Sequence, residues 1–143
     1  MAPGGYSGLV QFLPALAFSG VLDRYPRLKW VCAEAGIGWF TYLLESCDHE
    51  WERRRLWTEG ILTRPSEAFR ERLYGAVWFE AHGIDVRRDF PWSHLMWESD
   101  FPHSTSTFPE SRQFVERTLA GVPKPERDQL LFGNALRLYG LNS

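Results

Sequence analysis

A chain of 143 residues with 44% hydrophobic content and seven tryptophans has the apolar surface for one packed domain, which excludes an extended or disordered protein. Its formal charge of -2 and pI near 6.1 give no general attraction for nucleic acid or an anionic membrane, so small molecules or other proteins are the expected partners. Cys32 and Cys47 form no short-spaced ligand motif and sit among apolar residues; they read as packing thiols of a reducing, cytoplasmic compartment.

From near Ser7 a largely apolar helical stretch runs to about Leu22, interrupted by Pro14 and closed around "DRYPRL". It lacks a basic flank, contains Gln11, and is shorter than the ~20 apolar residues a spanning helix needs. "LKWVCAE", Leu28 to Glu34, reads as a buried strand. From Trp39, the residues Phe40, Leu43, Leu44 and Cys47 recur at helical spacing towards the charged "ERRR". Ser66 is placed to cap a short helix before a second strand, "YGAVWFE", Tyr74 to Glu80. A weak helical segment in "HGIDVRRDF" precedes a third strand, "SHLMWES", Ser93 to Ser99. Thr107 and Glu110 have capping-box spacing for the helix that follows, ended by Gly121. Pro125 suits the first turn of a last helix with Leu131, Ala135 and Leu138 on one face.

This alternation predicts an α/β fold with about three parallel strands and flanking helices. Such a sheet leaves two edges unpaired, so the aromatic residues of "AVWFE" and "HLMWE" need a cover from elsewhere. Asp100 and His103, in "WESDFPHSTSTFPE", fall where the third strand stops, the end at which α/β enzymes place their chemistry. Spacing alone leaves two readings of Asp100 open: a metal ligand, or a turn residue before Pro102.

The phrases "SGVLDRYPRLKWVCAEAGIGWFTYLLE", "WESDFPHSTSTFP" and "LLFGNALRLYGL", in this order, resemble the C-terminal half of an amidohydrolase-related protein, in the branch that includes decarboxylases of the aminocarboxymuconate-semialdehyde type. The resemblance covers about Phe12 to Leu141. It implies strands six to eight of a (β/α)8 TIM barrel with the helix before strand six, making residues 1–143 a partial domain. It also implies a divalent cofactor, Zn2+ or Mn2+, held by histidines and an aspartate, and hydrolysis or decarboxylation of a small organic acid or ring substrate. Ser99 to His103 match the family's Ser-Asp-aromatic-Pro-His context, which makes Asp100 the expected metal ligand and proton acceptor for the attacking water.

Glu34 stands where many relatives carry a histidine. It is a candidate acid/base, or alternatively a partner for the amides of the Gly36-Ile37-Gly38 turn. His103 and His82 are candidate substrate contacts; His94 and His49 read as structural or solvent-facing, and Arg53 to Arg55 as a solvated helix face. Asn134 reads as a helix-to-loop hydrogen-bonding residue.

The family's His-x-His pair and its strand-five histidine have no counterpart in the sequence. One confident ligand does not hold an ion tightly, so weak metal binding by this chain alone is expected. A complementary N-terminal half or a second copy would complete the enzyme. The alternative is a catalytically inactive remnant or interaction module.

Overall fold

The computed structural model describes residues 8–85 and 87–141. In chain order the elements are α1 (Gly8–Ala17), α2 (Val21–Arg24), β1 (Trp30–Cys32), α3 (Phe40–Arg54), α4 (Pro65–Arg72), β2 (Leu73–Val77), α5 (His82–Asp85), β3 (Leu95–Trp97), α6 (Ser111–Thr118), α7 (Lys124–Asp128) and α8 (Asn134–Tyr139). The expected start of the first helix near Ser7 lies outside the described residues.

The strands form one parallel sheet in the order β1-β2-β3, with Val31 opposite Tyr74 and Ala76 opposite Met96. Strand side chains alternate between faces. Cys32, Leu73, Val77 and Leu95 join the core with Leu13 and Leu16 of α1, Phe40, Leu43 and Leu44 of α3, and Phe69 of α4. Burying each such side chain is worth about 1.5–3 kcal/mol. Gly75 permits a close approach of β2 to this layer, since a Cβ there would stand 2.6 Å from Ile37 and 2.7 Å from Phe40. Val31, Tyr74, Ala76 and Met96 alternate onto the opposite face, where Val31 on the edge strand is 40% exposed.

All three strands are shorter than the sequence suggests. After Val77 the chain leaves the ladder because the Glu80 carboxylate accepts the Trp78 N–H at 2.9 Å, a bond that closes a turn. Ser66 is not a cap: α4 begins at Pro65, and the Ser66 N–H donates to Asp48 of α3 at 2.9 Å. Thr107 and Glu110 form no capping box either. Glu110 itself precedes α6, while the Thr107 hydroxyl pairs with that of Ser111 at 2.9 Å. In the last helical run a π-helical turn, Gln129–Gly133, separates α7 from α8; Leu130 and Asn134 are the fully buried residues, while Leu131 packs half-buried against the core and Ala135 and Leu138 are half-buried.

Candidate active site

Because the strands are parallel, Glu34, Glu80, Glu98 and Asp100 all leave the sheet at its carboxyl end. β3 is extended by one bond, Glu98 N–H to the Val77 carbonyl at 3.0 Å, which places the Glu98 side chain beside the end of β1. There its carboxylate accepts the Glu34 N–H at 2.6 Å. Burial pushes the Glu98 carboxyl up to about 7; the Glu34 amide opposes that shift, and the charges of Glu34, Asp100 and Glu80 add to it.

Glu34 and Asp100 both adopt left-handed backbone, with φ of 58° and 60°. For a non-glycine residue that conformation costs roughly 1–2 kcal/mol. The loop after Asp100 is fixed by its own hydrogen bonds: Thr107 N–H and the Ser106 hydroxyl both donate to the Ser99 carbonyl, at 3.0 and 2.8 Å. This loop turns His103 back, so that its Nδ1 lies 2.5 Å from Asp100 Oδ1, while the Thr105 hydroxyl donates to Oδ2. The Asp100 side chain is only 2% exposed and that of His103 is 65% exposed. The Thr105 and His103 hydrogen bonds hold the Asp100 carboxyl below its usual range, and Asp100 in turn raises His103. An ionised Asp100 can only accept, so Nδ1 carries the proton and Nε2 is left as the outward pole.

One ligand atom each from Glu34, Asp100 and His103 lies within 4.8 Å of the others. The carboxylate oxygens of Glu34 and Asp100 suit Zn2+ or Mn2+, so these two residues fit part of a divalent metal site, while the His103 Nδ1–H is held by Asp100. Of the residues singled out in the sequence, Glu34, Asp100 and His103 come together. His82 stands apart from this cluster and lines an adjoining cavity of about 370 Å3 with Trp39, Trp78 and Phe79.

The alternative role for Glu34 is taken by another residue: the amide of Ile37 donates to Glu80 at 3.0 Å. Glu80, Glu98 and Thr105 escaped the sequence reading. Glu98 had a usable signal, because it lies two residues before Asp100 on the period of a strand. His94 Nδ1 donates to the Leu73 carbonyl at 3.1 Å and Asn134 bridges to the Trp92 and Leu95 carbonyls, so both are structural. His49 is exposed, and Arg53 pairs with Glu50 at 2.8 Å on the solvent side of α3.

The family model described as "Amidohydrolase" matches residues 11–141. No curated protein matches the chain. Among solved structures it is similar to 5-carboxyvanillate decarboxylase LigW from Sphingomonas paucimobilis (22% identity, TM-score 0.72, 90% of this chain and 38% of that one). It is similar to dihydroxybenzoic acid decarboxylase from Polaromonas sp. JS666, solved with manganese and the inhibitor 2-nitroresorcinol (22%, 0.74, 96% and 41%). A third is amidohydrolase map2389c from Mycobacterium avium subsp. paratuberculosis K-10 (21%, 0.69, 88% and 32%). These likenesses show the fold: the C-terminal part of a TIM barrel, with its helices on the outer face of the sheet. The chain spans 32–41% of the length of these structures.

Proposed function

Since the chain belongs to the amidohydrolase family, we propose that it supplies the C-terminal part of a metal-dependent hydrolase or decarboxylase acting on a small organic acid or ring substrate. The observation that carries this reading is the convergence of Glu34, Asp100 and His103 at the carboxyl end of the sheet. In it, β1 to β3 correspond to barrel strands six to eight, and residues outside this chain complete the ligand set. Those residues come from an N-terminal half or a second copy, in a cytoplasmic setting consistent with two free buried thiols.

Asp100 and Glu34 would hold the divalent cation, which when bound supplies Lewis-acid polarisation and acidifies water. The chain's own residues handle protons and orientation. Asp100, kept ionised by Thr105 and His103, accepts a proton from the attacking water in hydrolysis. His103 presents its exposed imidazole to the substrate, and His82 contacts it from the adjoining cavity. Glu98 holds the Glu34 backbone in place. Among the described residues no helix is long and apolar enough to cross a membrane.

The test is titration of the 143-residue chain with Zn2+ and Mn2+, followed by turnover assays with and without a complementing N-terminal half. Weak metal binding and no turnover are expected for the chain alone, with both restored on complementation. Turnover that survives Asp100→Ala in the complemented protein overturns the assignment.

A second reading, a non-catalytic remnant or interaction module, is favoured by one observation: the Asp100 carboxylate already has both oxygens engaged, by His103 and Thr105. Failure of complementation to restore turnover selects it.

A further inference from the structure

A depression of about 900 Å3 opens at the amino end of the sheet, the end opposite to the carboxylate cluster. Three stretches of chain border it: Arg70 in the last turn of α4, just before β2; residues 88 to 92, which enter β3; and Gly121, Pro123 and Glu126, where α6 passes into α7. Its volume is near the upper end of the range for ligand sites, roughly 300–1,000 Å3.

The charges on this rim are not spent on the fold. Arg53 and Arg64 pair with carboxylates of α3, and the buried Arg72 donates to the carbonyls of Ala68 and Leu22. Arg70 and Arg88 are exposed, and among the described residues neither forms an ion pair. The Arg70 guanidinium has a single long hydrogen bond, 3.5 Å, to the Asp89 carbonyl, while the Asp89 carboxylate has no partner among the described residues. One unpaired arginine on a surface is ordinary; two of them with an unpaired carboxylate on a single concave wall form a set of unused recognition groups.

The floor is aromatic and fixed. Phe90 is 5% exposed and meets Phe40 of the core edge to face at 5.2 Å. Trp92 is half-buried, and its indole N–H donates to the Glu126 carbonyl at 3.0 Å, which ties the ring to α7. Glu126 is the second acid of the wall, so two arginines face two carboxylates and a bare anion gains little from the net field. A ligand gains by matching the groups separately. Phosphate oxygens accept the forked N–H donors of a guanidinium, hydroxyls donate to a carboxylate, and a flat ring covers an indole.

We propose that this depression binds an organic phosphate of mononucleotide size, with its phosphate on Arg70 and Arg88, its hydroxyls at Asp89 and its ring against Trp92. The site is separate from the metal-site reading and does not rest on it, since it shares no residue with the cluster at the carboxyl end. The ligand is not a substrate here: it braces α4, the chain entering β3 and α7 against one another.

The test is titration of the 143-residue chain with adenosine 5'-monophosphate, followed by nuclear magnetic resonance with a chelator present. Saturable binding with Kd on the order of 10^-4 to 10^-3 M is expected, with shifts centred on Arg70, Arg88, Gly121 and the Trp92 indole N–H. Arg70→Ala and Arg88→Ala, at exposed positions tolerant for folding, should each weaken it about fivefold or more. Adenosine and inorganic phosphate, each offering half of the match, should bind about tenfold more weakly or worse. Asp100→Ala should leave the affinity unchanged, which separates this inference from the metal-site reading. No saturable binding, affinity unaltered in both arginine variants, inorganic phosphate or adenosine binding as tightly as the nucleotide, or shifts centred on Glu34 and His103 would each overturn it.

Discussion

The two ends of the sheet use polar side chains in opposite ways. At the amino end, His94 donates to Leu73, Asn134 to Trp92 and Leu95, and the Trp92 indole to Glu126, all onto backbone carbonyls within 3.1 Å. At the carboxyl end, carboxylates face one another, and Glu98 is pushed up to about 7. Cavity size does not separate the ends in favour of chemistry: the depression at the amino end, bordered by Arg70, Phe90 and Trp92, holds about 900 Å3 against 370 Å3 at the other. What separates them is that titratable side chains gather at the carboxyl end, where Asp100 pairs with His103 and the charges of Glu34, Asp100 and Glu80 bear on Glu98. In barrels, satisfied polar groups at the amino end hold the structure, and mutually facing groups at the carboxyl end serve the reaction.

The largest test of this contrast is Asp100→Ala. In the complemented protein, turnover should fall by on the order of 10^3-fold, since under the proposed function the change removes a ligand and proton acceptor together. The thermal midpoint of the chain should move far less than in the next variant. Asn134→Ala should do the reverse. That side chain is 1% exposed and donates at 2.8 and 2.7 Å to two carbonyls, so its loss should cost about 2–3 kcal/mol in denaturant unfolding. Turnover per folded molecule should hold. An Asn134 variant that folds normally yet loses turnover would break the comparison.

The carboxyl end was partly legible in the sequence because Asp100 and His103 are close in the chain and their contact closes within one loop. Glu80 was not, since it pairs with Ile37 across 43 residues, and no local pattern encodes that distance. The fold shows the same division. Strand centres followed from apolar runs, but strand ends depended on Glu80 capturing the Trp78 amide. Ser66 was misread because the acceptor for its amide, Asp48, is on another helix. In the final helical run Leu130 and Asn134 take the fully buried places because a π turn adds a residue that helical periodicity cannot foresee.

Glu98→Gln gives a smaller effect with a defined sign. The carboxyl binds its proton more tightly in the folded chain than at its ordinary value of 4.5, so stability falls as pH rises from there to about 7 and stays lower above. Glutamine keeps an oxygen for the Glu34 amide at this 2.6 Å contact but cannot ionise. With a chelator present, the variant should be more stable than wild type by roughly 1 kcal/mol at pH 8, a figure reduced for partial solvent access, and no more stable at pH 4. Unfolding curves at the two pH values decide it.

The smallest effect belongs to the amino end and has the opposite sign. His94 stacks on Tyr74 with ring centroids 4.2 Å apart, and burial lowers its readiness to protonate, outweighing its bond to Leu73. A histidine held neutral in the fold binds its proton more readily once unfolded. Its contribution is therefore complete above its ordinary value of 6.5 and is lost as pH falls below that. His94→Phe keeps a flat ring against Tyr74 and removes the titration, so the stability lost on acidification below pH 6.5 should shrink, by less than the Glu98→Gln change. The variant gives up the Nδ1 bond, so near pH 8 it should be slightly less stable than wild type, and turnover in the complemented protein should be nearly unchanged. Across the same interval of pH 5 to 7, then, the two ends pull stability in opposite directions: acid favours the carboxyl end, where Glu98 gains a proton, and penalises the amino end, where His94 resists one. The double variant should show a flatter pH profile than either single variant. A pH dependence left intact in the double variant would mean that neither group governs it, and the division between the two ends would fail at its electrostatic root.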